Sequence, residues 1–280
     1  MNKLTKYCLA QTFFGIGCRP SELLCFAKKT ATNGITFADI KYVKNCLNSK
    51  SLPKKDRYWR FVVRRFKNQK LRNVPKIIYI GISHCKQRKQ CIQCNIFNPA
   101  ALIWLMIMKR KELLETYQNT IKKNPSLSKE KQKRYSKIIS GLTMKPKNFL
   151  FVWADGKPVK ITDLGIVAKE VATLNNLTEA SRYKAYSFRI GTTSTAVTKG
   201  IPHPKILSYI GWAANNLPHV SYRYTRYTDE ELKRFQYELV HGSYLDDLNL
   251  KQKIIKLSNR FFDPWMDGLN YSSFSQLYTK

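Results

Sequence analysis

Apolar positions recur along the chain with two different periods, and together these predict a mixed fold. Apolar residues with helical spacing run from Leu4 to Gly17. A second helix is expected just after Arg19, because Pro20 suits a first helical turn. Groups of β-forming residues predict three strands, at 35–42, 58–63 and 76–82. The beginning of the chain is therefore expected to hold a small antiparallel sheet beside helices.

The remainder of the chain has mainly helical patterns. An amphipathic helix is predicted from Asn98 to Tyr117, and the polar stretch from Asn119 to Lys137 is either a loop or an exposed helix. A short strand is expected over 148–153, closed by a turn at Asp155-Gly156. Further helices are predicted over 162–172, 187–199, 204–210, 229–239 and 248–261. The predicted fold class is α+β, mainly helical with a small antiparallel sheet.

Positive charge dominates the composition. The 280 residues include 50 Lys and Arg against 18 Asp and Glu, a formal net charge of +32. Such an excess indicates a polyanionic partner, most commonly a phosphate backbone. The densest region is 50–89, with 14 basic residues and a single acidic one, Asp56. It supplies the predicted DNA contacts, which are Arg64, Arg65, Lys70, Arg72 and Lys76.

No membrane partner is expected. The most apolar stretch, Ala100 to Met108, is too short to span a bilayer and continues directly into Lys109. The first nine residues lack the long apolar region of a secretory signal peptide. These features favour an intracellular protein.

The cysteines are confined to about the first third of the chain, at positions 8, 18, 25, 46, 85, 91 and 94. This distribution favours reduced thiols over a disulfide framework. Cys91 and Cys94 have zinc-knuckle spacing, and His84 with Cys85 offers two further ligands. Adjacent ligands fit a tetrahedral site poorly, and there is no second such cysteine pair. Unliganded thiols are therefore preferred, and no metal site is predicted.

Carboxylates are too scarce for a two-metal nuclease, which needs clustered acidic ligands. Cleaving a phosphodiester without metal requires cations on the phosphate oxygens, a nucleophile and an acid for the leaving group. Arginine suits the first task because its planar fork binds phosphate bidentately. Arg19, in the turn before a helix, and Arg189, at the start of another, are the candidates. Alternatively, Arg19 forms an ion pair with Glu22 one helical turn away.

Three motifs, in this order, resemble those of the tyrosine recombinases, or phage integrases. Gly-x-Arg-x-Ser-Glu-Leu contains Arg19, the segment Tyr-Ser-Phe-Arg ends at Arg189, and Ile-Gly-Trp ends at Trp212. The resemblance covers roughly residues 4–239 and is greatest to branches from eukaryotic mobile elements and large viruses. It implies a helical catalytic domain that breaks and rejoins DNA through a 3′-phosphotyrosine, with no metal or cofactor.

The resemblance also implies a role for each site residue. Arg19 and Arg189 would hold the phosphate, and Trp212 would donate a hydrogen bond. A lysine on a β-hairpin would protonate the leaving 5′-oxygen, with Lys67 preferred and Lys70 second. Tyr186 occupies the position of a histidine in the family pattern; it can donate a hydrogen bond but cannot act as a base near neutral pH.

The nucleophile is assigned from the local pattern of tyrosines. Tyr224 fits the family best, with Tyr222 next and Tyr227 third, and residues 215–218 form a small insertion relative to the common spacing. Tyr222 and Tyr227 are otherwise structural or DNA-facing.

The resemblance predicts a catalytic domain over 1–240 without the family's preceding DNA-clamping domain. It also predicts a helical tail over 241–280, which is either exchanged between protomers or folded back on its own protomer. The implied partner is double-stranded DNA, bound by a homotetramer on two duplexes, in the nucleus of a eukaryotic host or otherwise in the cytoplasm. Three alternatives stay open: a DNA-binding relative that no longer cleaves, a type IB topoisomerase-like enzyme, and a zinc-stabilised packaging protein.

Overall fold

The computed structural model describes residues 1–25, 34–44, 57–64, 76–81, 97–210, 235 and 238–240. Within them the helices are α1 (Asn2–Ile16), α2 (Pro20–Leu23), α3 (Pro99–Lys123), α4 (Lys129–Leu142), α5 (Ile161–Leu174), α6 (Ser187–Thr198) and α7 (His203–Ile210). The strands are β1 (Ile40–Lys44), β2 (Arg57–Val63) and β3 (Lys76–Gly81). The predicted α+β class, mainly helical with a small antiparallel sheet, is confirmed.

The sheet has the order β1-β2-β3 with both pairs antiparallel. Phe61 of β2 lies opposite Ile40 on one side and Ile78 on the other. Alternate residues of β2 are buried, as expected for a strand with one face on the core. The indole of Trp59 donates a hydrogen bond to the Ala100 carbonyl at 3.0 Å. This bond fixes the sheet against the start of α3.

Helix α1 lies at the centre of the core and contacts α3, α5, α6 and β3. It ends at Gly17, which has a left-handed backbone with φ of 60°. A Cβ at this position would lie 2.9 Å from the Thr192 methyl carbon of α6. Glycine is thus required both for the backbone conformation and for the close approach of α6. The turn directs the chain into Arg19.

Helices α3 and α4 form a hairpin whose base is held by Arg110. This side chain is completely buried and donates to five backbone carbonyl oxygens at 2.6–3.1 Å, those of Gly141, Leu142, Thr143, Phe149 and Leu150. Three of the carbonyls lie at the end of α4, where the helix dipole is negative. Burial lowers the pKa of the Arg110 guanidinium to about 10.

Two strand predictions need correction. The predicted strand over 35–42 begins only at Ile40, because a 3₁₀ turn occupies Phe37–Asp39. The Asp39 carboxylate accepts hydrogen bonds from the Thr36 amide at 3.0 Å and hydroxyl at 2.7 Å, which stabilises that turn. The predicted strand over 148–153 is wrong, since the segment makes only isolated bridges. Two of its carbonyls bind Arg110 instead of a neighbouring strand.

The predicted helices agree better with the structure. Those over 162–172, 187–199 and 204–210 are confirmed with ends within two residues. For 119–137, the exposed helix is the better alternative, because α3 continues to Lys123 and α4 begins at Lys129. The turn at Asp155-Gly156 is also confirmed. The predicted helix over 229–239 is described only at 235, 238 and 239, all helical, and 248–261 lies outside the described residues.

Three cysteines, Cys8, Cys18 and Cys25, are buried free thiols. Burial raises the pKa of Cys8 to about 12 and that of Cys25 to about 11. At neutral pH the thiols of Cys8 and Cys25 are therefore protonated and poorly nucleophilic in the folded chain. The candidate zinc ligands His84, Cys85, Cys91 and Cys94 lie outside the described residues.

Neither a metal cluster nor a membrane span is found in the part of the chain that the structure describes. No three His, Cys, Asp or Glu side chains there are grouped so as to hold an ion. No helix there combines the length and apolar character needed to cross a bilayer.

Candidate functional site

The first predicted arginine lies at the start of α2. Arg19 has an extended backbone as the N-cap residue, and Pro20 occupies the first helical turn. The Arg19 carbonyl accepts the Glu22 amide at 2.9 Å, so the two side chains lie together. Arg19 Nη1 is 3.4 Å from Glu22 Oε1. The ion pair with Glu22, which is the alternative prediction for Arg19, is therefore present.

Glu22 also binds a lysine from the sheet. Lys76, the first residue of β3, places its Nζ 3.1 Å from Glu22 Oε2. The same ammonium donates to the Ile210 carbonyl at the end of α7, also at 3.1 Å. The Glu22 side chain is only 2% exposed and that of Lys76 13%. Lys76, predicted as a DNA contact, is thus an interior member of the site.

The second predicted arginine joins the remaining segments. Arg189, in the first turn of α6, is 3% exposed. Its Nη1 donates to the Gly17 carbonyl at 2.9 Å and lies 3.3 Å from that of Ile210. The Ile210 carbonyl therefore faces both Arg189 and Lys76. We name Arg19, Glu22, Lys76 and Arg189 the arginine cluster.

The arginine cluster has an excess of positive charge, because three cations surround one carboxylate. Burial lowers the pKa of the Arg189 guanidinium, and the nearby charge of Arg19 lowers it further, whereas Glu22 opposes the shift. Cys18, next in the chain to Arg19, does not add a nucleophile, since burial and then Glu22 raise the pKa of its thiol. Such a site is suited to binding an anion.

Tyr186 lies at the N-cap position of α6, one turn before Arg189. It is 51% exposed, so its phenol is accessible beside the arginine cluster. This placement is compatible with the predicted role as a hydrogen-bond donor. Tyr209 of α7 differs, being buried with its hydroxyl 3.2 Å from the Gly15 carbonyl. It is a core residue.

Arg64 lies outside the arginine cluster. Its Nε donates to Asp39 Oδ1 at 2.6 Å, while most of its side chain is exposed. Partial burial opposes ionisation of Asp39, but the hydrogen bonds from Arg64 and Thr36 outweigh it and lower the pKa of the carboxyl. Arg64 is therefore held at the surface next to the end of β2.

The other predicted site residues lie outside the described part of the chain. They are Arg65, Lys67, Lys70, Arg72, Trp212 and Tyr224, together with the alternative nucleophiles Tyr222 and Tyr227. Of the predicted set, the structure thus brings together Arg19, Lys76 and Arg189, with Tyr186 close by.

No family model, curated protein or solved structure matches the chain. Function is therefore inferred from the residues themselves.

The sequence indicated that Glu22 could pair with Arg19, but it did not indicate the contact between Glu22 and Lys76. Glu22 had a signal, because it stands three residues after Arg19, within reach on one helical turn. Lys76 had no sequence signal that distinguished it from the other basic residues of 50–89. Only the antiparallel pairing of β2 and β3 brings the start of β3 to Glu22.

Replacing the carboxylate of the arginine cluster gives a first testable result. Glu22→Gln removes the negative charge that lies among Arg19, Lys76 and Arg189, and we expect it to lower the free energy of unfolding by about 1–3 kcal/mol. Because an anion can take the place of the carboxylate charge, sulfate should raise the melting temperature of this variant more than that of wild type. Thermal unfolding in chloride and in sulfate at equal ionic strength measures both effects.

Glu112→Gln is the matched control, since Glu112 is exposed and pairs with a surface lysine, Lys109. Sulfate stabilises many proteins non-specifically, and the control subtracts that contribution. An equal response to sulfate in the two variants would show that the arginine cluster does not bind anions.

Proposed function

We propose that the chain is the catalytic domain of a tyrosine recombinase that cleaves and rejoins DNA through a 3′-phosphotyrosine. One observation carries the proposal. Arg189 donates to Gly17 at the turn before Arg19 and approaches Ile210, the residue before Gly211-Trp212. One described residue from each of the three motifs, Gly17, Arg189 and Ile210, thereby lies at the same place, although the motifs are far apart in sequence. The proposal is also supported by the net charge of +32.

The arginine cluster suits the charge that this reaction develops. When a tyrosine oxygen attacks phosphorus, negative charge accumulates on the non-bridging phosphate oxygens. Cationic donors fixed before the reaction stabilise that charge without reorganisation. Arg19 and Arg189 lie on separate helices, and their positions are fixed by Glu22 and the Gly17 carbonyl respectively. This is a preorganised arrangement for holding a phosphate.

The proposed step balances as a transesterification. The phenolic oxygen of Tyr224 forms a bond to phosphorus as the bond from phosphorus to the 5′-oxygen breaks. The phenol loses its proton to solvent, and a lysine gives one to the leaving oxygen. Rejoining reverses both bonds, so no energy source or metal is consumed. Trp212 and Tyr186 are proposed as hydrogen-bond donors to the phosphate.

The lysine that protonates the leaving group has three candidates. Lys67 and Lys70 remain the predictions from the resemblance. Lys76 is the candidate that geometry adds, because its ammonium already lies in the arginine cluster. Its bonds to Glu22 and Ile210 also suit a positioning role, in which it holds α7 against α2.

Double-stranded DNA and a four-protomer assembly on two duplexes belong to the same proposal, as does a location in the nucleus of a eukaryotic host or otherwise in the cytoplasm.

One observation favours a second candidate, a relative that binds DNA without cutting it. The ion pair of Arg19 with Glu22 and the carbonyl contacts of Arg189 are also the contacts of purely structural arginines.

Trapping the covalent intermediate tests the proposal. A nicked duplex loses a short fragment after cleavage, so the 3′-phosphotyrosine cannot be reversed and accumulates. Wild type should form an adduct that survives a denaturing gel. Tyr224→Phe should abolish it, because the substitution removes only the attacking oxygen, and the matched variant Tyr222→Phe should retain it.

Each other result has a definite meaning. Loss of the adduct only in Tyr222→Phe would keep the reaction class and move the nucleophile. Absence of an adduct in wild type that still binds duplex DNA would favour the non-cleaving relative. Relaxation of supercoiled plasmid by the isolated chain, without site preference, would favour a type IB topoisomerase-like enzyme.

A further inference from the structure

Helix α4 has a row of lysines on its exposed face. Lys129, Lys133 and Lys137 follow one another at intervals of four residues, so they lie along one side of the helix. All three are exposed. The opposite side, with Ile138 and Leu142, is buried against the rest of the hairpin. The lysine row therefore faces away from the core.

The same face continues into an open cleft of about 380 Å³ at the end of α4. It is lined by Ser136, Ile139, Ser140 and Thr143, together with the exposed residues Lys145 and Lys147. We name the five lysines 129, 133, 137, 145 and 147 the lysine face.

Three exposed lysines elsewhere have counter-charges that the described part of the chain does not provide to the lysine face. Lys109, Lys111 and Lys157 pair with Glu112, Glu115 and Asp155 at 2.7, 4.0 and 2.6 Å. Among the described residues, no salt bridge involves a member of the lysine face. Like charges four residues apart on a helix repel one another. A polyanion that neutralises them would relieve this repulsion.

The chemistry of the lysine face favours a duplex backbone over other polyanions. Between residues 109 and 160, all of which the structure describes, no large apolar side chain is exposed. The exposed ones nearest in sequence are Trp104 and Ile166. A surface that stacks on single-stranded bases needs exposed aromatic rings. A helix that binds a membrane surface needs an accessible apolar face, and that of α4 is buried. Lysines beside short hydroxyls are typical phosphate contacts.

We propose that the lysine face is a second DNA-binding surface, which contacts the phosphate backbone of a duplex independently of sequence. It lies on α4 and the segment that follows it, whereas the residues of the arginine cluster come from α2, β3 and α6. The inference takes DNA as partner, as the proposed function does, but does not depend on strand cleavage. Its role is to hold duplex DNA outside the proposed cleavage site.

Substitution of the lysine row tests this surface through the salt dependence of binding. The probe is a random-sequence duplex of about 30 base pairs, and each neutralised phosphate contributes about 0.9 to the slope of log affinity against log salt. Lys129→Gln/Lys133→Gln/Lys137→Gln should reduce that slope by about 2–3 and weaken binding at low salt at least about tenfold. The control Lys109→Gln/Lys111→Gln/Lys157→Gln removes the same charge from paired lysines and should reduce the slope by less than about 1.

The outcomes separate the two proposals. If both triple variants, folded by circular dichroism, lose affinity equally, the lysine face is no specific surface and the inference is overturned. Retention of duplex binding with loss of binding to phosphatidylserine vesicles would also overturn it, in favour of a membrane surface. A reduced slope in a protein whose wild type forms no covalent adduct would support the lysine face while the proposed function fails.

Discussion

Arg189→Lys is expected to lower the rate of covalent adduct formation on nicked DNA by at least about a hundredfold. Lysine keeps the positive charge but not the planar fork, and its single ammonium cannot both reach the Gly17 carbonyl and hold a phosphate. The loss should appear in single-turnover rates at saturating DNA. Affinity for duplex should change much less, because many other cations contribute to it.

Arg182→Lys is the control for this substitution, since Arg182 is exposed and pairs with Glu179 at the surface. It should leave the rate unchanged. Because Arg189 also ties α6 to the turn at Gly17, thermal unfolding must accompany the kinetics. A folded Arg189→Lys variant with a rate within about threefold of wild type would show that the guanidinium does not act on the phosphate.

Arg110→Met is expected to lower the free energy of unfolding by about 3–5 kcal/mol, a large loss for a single substitution. Methionine replaces the apolar stem but removes the guanidinium donor from five buried or partly buried carbonyl oxygens, of which that of Thr143 still accepts from Asn148 Nδ2 at 2.7 Å. Those carbonyls belong to the end of α4 and to the segment that follows it. Without the guanidinium, the free-energy cost of removing them from water is no longer compensated. Urea unfolding followed by circular dichroism measures the change.

Arg134→Met provides the comparison, because Arg134 lies exposed on α4. It makes the same change of charge and should shift stability by less than about 0.5 kcal/mol. Arg110→Lys should fall between the two, since an ammonium has three donors where the guanidinium has five. A loss below about 1 kcal/mol in Arg110→Met would mean that water replaces the guanidinium at the carbonyls.

Helices were predictable from the sequence because their signals are local. The N-terminal proline of α2 and the apolar spacing of α5 and α6 each act within a few residues. The two strand errors arose where tertiary contacts decide the backbone. A strand pattern at 148–153 could not reveal that Arg110, about 40 residues earlier, takes its carbonyls. Likewise, the 3₁₀ turn before β1 depends on the side chains of Thr36 and Asp39.

The arginine cluster was predictable only in part. The motifs singled out Arg19 and Arg189 because arginine in a turn and at a helix start is unusual. They did not indicate that Lys76 would join Glu22, since that contact depends on how the sheet packs against α2. Assignments made from the resemblance for Lys67, Trp212 and Tyr224 lie outside the described residues and stay predictions.

The arginine cluster has a consequence for the order of folding, because its contacts join remote parts of the chain. Arg189 bonds Gly17 across 172 residues, and Lys76 bonds Ile210 across 134. Closing loops of this length carries a large entropic penalty, so such contacts form after local structure. A nascent chain that has not yet reached α6 lacks Arg189 and cannot assemble the cluster. Under the proposed function, a partly synthesised chain would therefore bind DNA through its lysines before it could cut.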